Sequence, residues 1–410
     1  MPLTPAAALP TQDLAHDEPQ DYLWTLNFGP QHPATHTTLR IVLKLDGERV
    51  VDAMPDIGYL HSGFEKIGES LDYNQYVTVT DRMNYMSPLA NNVAWHGAVE
   101  KLLGIEITPR CKYIRTIICE LARISDHLLC NGAVGLDTGA FTFFLYAFNR
   151  REDLYDIFET ACGARFTNSY TRTGGLMYDI TPLFLEKVRA FVKTFPKTLD
   201  DMERLLNRNR IFIDRTKGVG FLTKEEANSR SCTGPIARAS GVARDLRKDE
   251  PYLSYADFDF QVCCSTVGDC YARYLVRMAE MRESLKIVAQ AIENIPAGPV
   301  NVGIDARTAL PTKRQVYSTI EGLISHFELS MSNRGFETPH EECYSAIESP
   351  NGELGFYIVG NGTDVAYRAR CRPPSYIHFA TFPFLIRGHT LSDVVAVLGS
   401  LNIIAAELDR

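Results

Sequence analysis

Two imidazoles four residues apart, His32 and His36, lie in the stretch Asn27–Arg40, which reads N-F-G-P-Q-H-P-A-T-H-T-T-L-R. Imidazole is the side chain that exchanges protons near neutral pH. Pro30 and Pro33 hold their neighbours out of the helical region and remove backbone donors, so the stretch reads as a stiffened loop. Such a loop can present a ring to a cavity with little freedom to lose. The alternative is that both rings merely hydrogen-bond within the loop. Three more groups stand out further on. Arg82 and Tyr85 lie just before Ser87-Pro88, and Asp137 sits near the start of a strongly apolar run. A carboxylate in apolar surroundings needs a partner or stays neutral.

The elements that must position these groups follow from periodicity. Leu39, Ile41, Leu43 and Leu45 alternate, Asp46-Gly47 turns, and Val50 and Val51 return. That pattern predicts a hairpin anchoring the histidine loop. Leu89–Gly104 carries Leu89, Val93, His96, Val99 and Leu103 on one stripe, with Pro88 suited to a first turn and Gly104 to a stop. Helices are also expected at Arg115–Leu129, Phe184–Arg208 (with a kink or break at Pro196), Tyr271–Ile295 and Gln315–Phe327. Gly135–Arg150 is apolar on almost every face, which places it inside a bundle. In Tyr271–Ile295 the apolar stripe faces inward and the charges lie opposite. Arg165–Gly175 is a polar loop ended by two glycines, Ile295–Arg314 a Pro/Gly-rich connection, Glu353–Cys371 a second hairpin around Asn361-Gly362, and Asp393–Leu408 a final apolar segment. The expected fold class is α+β. Residues 1–21 are expected to form a flexible arm, 22–75 an N-terminal β region, 76–295 a central helix bundle, and 296–410 a C-terminal α/β region.

Composition removes several function classes. A chain of 410 residues with net charge −8 lacks the basic face that nucleic acid requires. Nothing approaches the roughly 18 uncharged apolar residues of a membrane span. The first 22 residues have no basic start or apolar core, so they do not read as a secretory signal. There is no Walker loop and no dinucleotide fingerprint. The ten cysteines include no C-x-x-C pair, the closest group being Cys263-Cys264 with Cys270. No metal held by this chain is expected.

The strings G-P-Q-H-P-A-T-H (29–36), G-Y-L-H-S-G-F-E-K (58–66), D-R-M-N-Y (81–85) and A-V-E-K-L-L-G (98–104) occur in order. They are followed by L-D-T-G-A-F…F-F-L-Y-A-F (136–148), R-x-G-G (172–175), E-M-R-E-S (280–284) and G-E-L-G-F-Y (352–357). Together they closely resemble the quinone-site, 49 kDa-type subunit family of respiratory complex I, from about Tyr22 to Arg410. That family forms much of the quinone cavity and is related to the large subunit of nickel–iron hydrogenases, so a hydrogenase-like fold is implied. A hydrogenase would carry cysteines two and five residues after the arginine matched by Arg82. Here Asn84 and Ser87 stand there, and soft thiolates are what such a metal requires.

The resemblance implies two-electron, two-proton reduction of a quinone. Tyr85 and His36 would donate hydrogen bonds to the headgroup, Asp137 would pair with His36 and raise its pKa, and Arg82 would lie near a 4Fe-4S cluster held by a neighbouring subunit. Implied partners are that terminal-cluster subunit, a C-type peripheral-arm neighbour and the membrane subunit at the quinone entrance. The implied location is the cytoplasmic side of the inner membrane, with NADH or another donor feeding the complex. His32 and His61 read as structural or cavity-lining. Two departures from the family pattern bear on function. Thr167 stands where many relatives have a histidine, so the cluster potential should vary little with pH. The chain end Ala405-Ala406-Glu407-Leu408-Asp409-Arg410 lacks the usual glycine. A hydrogenase-like subunit and a non-catalytic scaffold are the competing readings.

Overall fold

The computed structural model describes residues 22–35, 38–303, 308, 310–331 and 335–410. The chain opens with an antiparallel sheet of β1 (Trp24–Phe28), β2 (Arg40–Asp46) and β3 (Arg49–Asp56) in that order. The Asp46-Gly47 hairpin closes with Asp46 opposite Arg49, and Ile41, Leu43 and Leu45 face the core. Gly29, just after β1, has φ +88°, and a Cβ there would sit 1.8 Å from the Leu39 carbonyl oxygen. Only glycine lets the loop fold back this closely.

Two short helices, α1 (Phe64–Ile67) and α2 (Val77–Thr80), lead into α3 (Pro88–Leu103), which Pro88 starts and Gly104 ends at φ 65°. Next come α4 (Pro109–Asp137) and α5 (Phe141–Cys162). A two-stranded ribbon, β4 (Thr171–Arg172) with β5 (Gly175–Leu176), precedes α6 (Pro182–Leu206), which runs through Pro196 as one helix. Short helices α7 (Arg210–Thr216), α8 (Lys224–Ser229), α9 (Gly234–Ala239) and α10 (Leu246–Asp249) lead to α11 (Cys270–Glu293). After α12 (Lys313–Ser318) and α13 (Ile320–Ser330), a second antiparallel sheet is built from β6 (Glu342–Ser349), β7 (Gly352–Val359) and β8 (Arg368–Arg372). The chain ends with α14 (Pro374–Ile386), α15 (Leu391–Leu401) and α16 (Ala405–Asp409). The result is a mixed α+β fold.

Among the described residues three large apolar clusters, and a small one of Ala239, Ala272 and Val276, fill it. One lies among α4, α5, α6 and α11, a second joins the first sheet to α14 and α15, and a third joins α3 to the second sheet. The long α4 packs against α3, α5, α11 and α15, so it is the axis of the molecule.

Several expectations are corrected. The run 135–150 is not one buried helix. It breaks at Thr138, whose hydroxyl donates to the Val134 and Gly135 carbonyls, and at Gly139 with φ +92°. Asp137 therefore closes α4, and Phe141, Leu145 and Tyr146 on α5 are 57%, 51% and 45% exposed. The helix after 313 is two helices, parted at Thr319, which caps the second. The charges of α11 do not all face outward. Arg273, Arg277 and Glu280 are buried while Leu275 is half-exposed: Glu280 pairs with Arg238 of α9, and Arg273 donates to the Gly220 and Gly268 carbonyls and the Ser400 hydroxyl. Strand β6 adds to the expected hairpin, so that β7 pairs on both sides.

Candidate functional site

Tyr85 belongs to a tight turn between α2 and α3 whose polar residues brace one another. The Asn84 side chain accepts from the Met86 N–H at 3.1 Å, and the Asn91 amide donates to the Thr80 and Asn84 carbonyls at 3.0 and 3.1 Å. Asp81 accepts from both the backbone N–H and the hydroxyl of Ser169, at 2.9 and 2.5 Å. Those bonds tie the turn to the loop 163–175. Phe166 of that loop lies against the Tyr85 ring, with centroids 6.4 Å apart. Burial, and then the charge of Asp126, push the Tyr85 phenol above its ordinary pKa. The group is thus a protonated hydroxyl, a hydrogen-bond donor, throughout the physiological range. Arg82, three residues earlier, is exposed and donates to the Thr78 carbonyl at 2.5 Å.

The loop carrying Phe166 and Thr167 is held from below by a buried ion pair. Arg115 of α4 meets Glu100 of α3 through two bonds of 2.8 and 2.7 Å. The same guanidinium donates to the carbonyls of Arg172 and Gly175 at 2.9 Å, and Glu100 accepts from the Gly174 N–H at 2.8 Å. A Cβ at Gly175 would lie 1.8 Å from the Asn301 side-chain oxygen, which accepts from the Leu176 N–H at 2.7 Å. Thr167 and Ser169 both adopt left-handed φ, 52° and 41°. The R-x-G-G string is therefore a backbone clamp.

Behind Tyr85 lies a buried polar interior. Asn84 donates to Asp126 at 3.4 Å, and Asn402 donates to the other Asp126 oxygen at 2.6 Å and to the Asn351 side-chain oxygen at 2.5 Å. Glu407 accepts a short bond from the Ser375 hydroxyl. Beside Asp126, His127 bonds Glu280 at 2.8 Å, and Glu280 takes the Arg238 guanidinium at 2.8 Å. Arg238 also pairs with Glu348 at 2.7 Å. Arg247 joins Asp245 at 2.7 Å and Glu120 at 3.1 Å, and Glu120 further accepts from the Tyr255 hydroxyl at 2.6 Å. Burial opposes ionisation of Glu280 and Glu120, yet the arginines outweigh it and hold both carboxyls below their ordinary range. Asp126 is pushed up by burial.

The other candidates are placed as follows. His36 lies outside the described residues, so no pairing with Asp137 is described. Asp137 is half-buried at the C-terminal end of α4. It stands eleven residues beyond Asp126, roughly 16 Å along the helix axis. Arg82 and Tyr85 thus share one turn, while Asp137 sits at another level. His32 accepts from the Ala34 N–H at 3.1 Å and lies against Phe28, centroids 4.7 Å apart. His61 bonds the Asp409 carbonyl at 2.8 Å, and the Asp409 carboxylate accepts from the Gly58 and Leu60 N–H groups at 3.0 and 2.8 Å. The chain end thereby grips the 58–61 loop. Among the described residues no cluster of three or more His, Cys, Asp or Glu could hold a metal ion. A cavity of about 260 Å³ lined by Thr233, Glu348, Glu353 and Arg372 lies elsewhere, with neither Tyr85 nor Arg82 in its wall.

Residues 137–410 match the family model described as the respiratory-chain NADH dehydrogenase, 49 Kd subunit. The NADH-quinone oxidoreductase D-type subunit of Methylacidiphilum infernorum is 49% identical over 385 residues, covering 94% of this chain and 91% of its own length. A D-type subunit of the same oxidoreductase from Chloroherpeton thalassium is 48% identical over 400 residues, covering 98% and 90%, and one from Opitutus terrae is 50% identical over 386 residues, covering 94% and 90%. The chain belongs to the 49 kDa subunit family of the respiratory-chain NADH dehydrogenase.

As a member of the 49 kDa family, this chain has a polar interior that pattern reading passed over. In α4 the order E-L-A-R-I-S-D-H interleaves Glu120, Arg123, Asp126 and His127 with Leu121 and Ile124. The spacing of three between Glu120, Arg123 and Asp126 is a visible sign that they share a face. Beyond the contact between Glu120 and Arg123, their partners come from residues 42 to 276 positions away, which no local pattern names. All ten cysteines are free thiols.

Proposed function

We propose that this chain is the quinone-binding core subunit of a proton-pumping NADH:quinone oxidoreductase, active only within the assembled complex. With a neighbouring iron–sulfur subunit it passes electrons from the terminal 4Fe-4S cluster to quinone, coupled to proton translocation. Family membership over nearly the whole chain supports this reading, and the single observation that carries the site is Tyr85. Its turn is cross-braced by Asn84, Asn91 and Asp81, and its phenol is kept protonated. A rigid neutral donor is what a quinone carbonyl needs as negative charge develops on it. His36 would serve the opposite carbonyl with Asp137 as its partner, and Arg82, exposed beside Tyr85, would face the cluster. The overall arrangement would be that of a hydrogenase large subunit whose metal-binding cysteines are replaced, with Asn84 and Ser87 in their stead.

The exposed Phe141, Leu145 and Tyr146 form an apolar patch just past Asp137 that suits burial under a partner protein. No helix among the described residues is long and apolar enough to cross a membrane. We place the protein peripherally on the cytoplasmic side of the inner membrane, beside the terminal-cluster subunit, a C-type peripheral-arm neighbour and the membrane subunit at the quinone entrance.

The test uses membranes carrying Tyr85→Phe and, separately, His36→Ala, with assembly verified. Donor oxidation by an artificial acceptor should be preserved, while reduction of a short-chain quinone falls on the order of a hundredfold or more. Unchanged quinone reduction in both variants would reject the site and favour a scaffold role. Nickel in the purified complex would instead favour the hydrogenase-like reading.

A further inference from the structure

Five buried carboxylates have a guanidinium partner: Glu100 has Arg115, Glu120 and Asp245 share Arg247, and Glu280 and Glu348 share Arg238. Asp126 and Glu407 do not. Both are buried, at 1% and 0% exposure, and their hydrogen bonds come from amides and a hydroxyl. Asn402 spends one amide hydrogen on Asp126 and the other on Asn351. It can do so because it ends α15 in the left-handed conformation, φ 53°. The two carboxyls sense each other's charge. Two buried carboxylates without a directly bonded cation resist ionising together.

The charged groups facing the pair are few. Asp126 meets His127 of its own helix, Arg277 of α11 and Arg151 of α5, at longer range than a hydrogen bond. Glu407 meets Arg372 and the Cys371 thiol of β8. Burial dominates for both acids and raises them above the usual carboxyl range, Glu407 to about 7. Asp126 also borders the quinone-site turn. Asn84, next to Tyr85 in the chain, is one of the Asp126 donors, and Asp126 is the charge acting on the Tyr85 phenol.

We propose that Asp126 and Glu407 share one proton and deliver it to Tyr85 during quinone reduction, acting as a buried proton reservoir for the site. The proposal rests on the reading of Tyr85 given above. Quinone takes two electrons from the neighbouring subunit's cluster and two protons, giving quinol. One proton leaves the Tyr85 hydroxyl for a headgroup oxygen, leaving a phenolate, and the second reaches the opposite oxygen from solvent. The carboxyl O–H of the pair then breaks and the Tyr85 O–H re-forms, leaving both carboxyls ionised until solvent reloads one. The transfer runs downhill, because a phenolate is a stronger base than either carboxylate. Asp126 and Glu407 thus act through Tyr85 and do not touch the headgroup.

The assembled complex in membranes supplies the test. Infrared difference spectra taken on quinone reduction should show loss of a protonated-carboxyl C=O band that shifts in D2O. Asp126→Asn and Glu407→Gln should each abolish it, since removing one acid relieves the repulsion that keeps the other protonated. Absence of the band in the unmodified complex, or its survival in both variants, overturns the proposal, and the first of these requires no variant to fold. Steady-state rates add a second readout. Asp126→Asn should slow quinone reduction on the order of tenfold at alkaline pH and approach the parent rate in acid, where solvent protons substitute. An equal loss at every pH would mark a merely structural role and count against the reservoir. Tyr85→Phe separates the two ideas. If it reduces quinone normally, the Tyr85 reading fails and the reservoir with it. If it is inactive while Asp126→Asn keeps the parent pH profile, the reservoir alone fails.

Discussion

Helix α4 contributes to two buried polar regions barely two turns apart, and they are built on opposite principles. Around Glu120, Arg123 and Arg247 every acid meets a guanidinium within hydrogen-bond distance, and the web extends through Asp245, Arg238 and Glu280. Around Asp126 and Glu407 the partners are Asn84, Asn402 and Ser375. Burial alone would raise every one of these acids. Coulombic attraction reverses the sign for Glu120, Asp245 and Glu280 and does not for Asp126 and Glu407. Glu348 marks the border: burial and the Asp245 charge leave it raised despite Arg238. An arginine-paired carboxylate is a fixed charge suited to holding elements together. An amide-lined carboxyl can change its protonation state where it stands.

The sharpest way to break this contrast is Arg238→Met, which strips Glu280 and Glu348 of their shared cation. Leaving buried carboxylates uncompensated costs about 3–5 kcal/mol, so the protein should fail to assemble or lose that much in denaturant titration. Undiminished stability would show that the pairing does not hold the fold.

Glu407→Gln comes next, with an effect set by pH. The folded-state acid sits at about 7 against an ordinary 4.5, so the native chain binds an extra proton between those values. Its contribution to stability is therefore lost as pH rises through that window and stays lost above it, at most about 3 kcal/mol. The Gln variant should melt with a flatter pH dependence there, and an unchanged slope would mean that Glu407 is ionised throughout. Asp245 and Glu280, held below their ordinary range, carry the opposite sign. Their contribution is present above the ordinary carboxyl pKa and is lost as pH falls beneath it.

Arg165→Ala should do least. Its pairs with Glu152 and Asp156 lie in open solvent, so the melting temperature should hold and be insensitive to salt. A drop of several degrees would extend the structural role of arginine pairing to the surface.

The first hairpin, α3 with its Pro88 start and Gly104 stop, and the long amphipathic helices were legible in the sequence, because each depends on spacings of a few residues. The same holds for Tyr85 and Arg82 as candidates, which the D-R-M-N-Y string carried by resemblance. Less legible were the end of α4, where Thr138 and Gly139 break an apolar run, and the inward charges of α11. Periodicity assigns polar residues to solvent unless a partner is known, and the partners of Glu280 come from α4 and α9. Residue types and order by themselves determined the family, the first hairpin, most of the long helical segments, and the absence of paired thiolates at positions 84 and 87. Only the tertiary structure decided which acids are fixed charges and which can carry a proton. That choice depends on what a distant segment brings within about 3 Å, whether Arg238 beside Glu280 or Asn402 beside Asp126, and on a burial that exists only once the chain has closed around it.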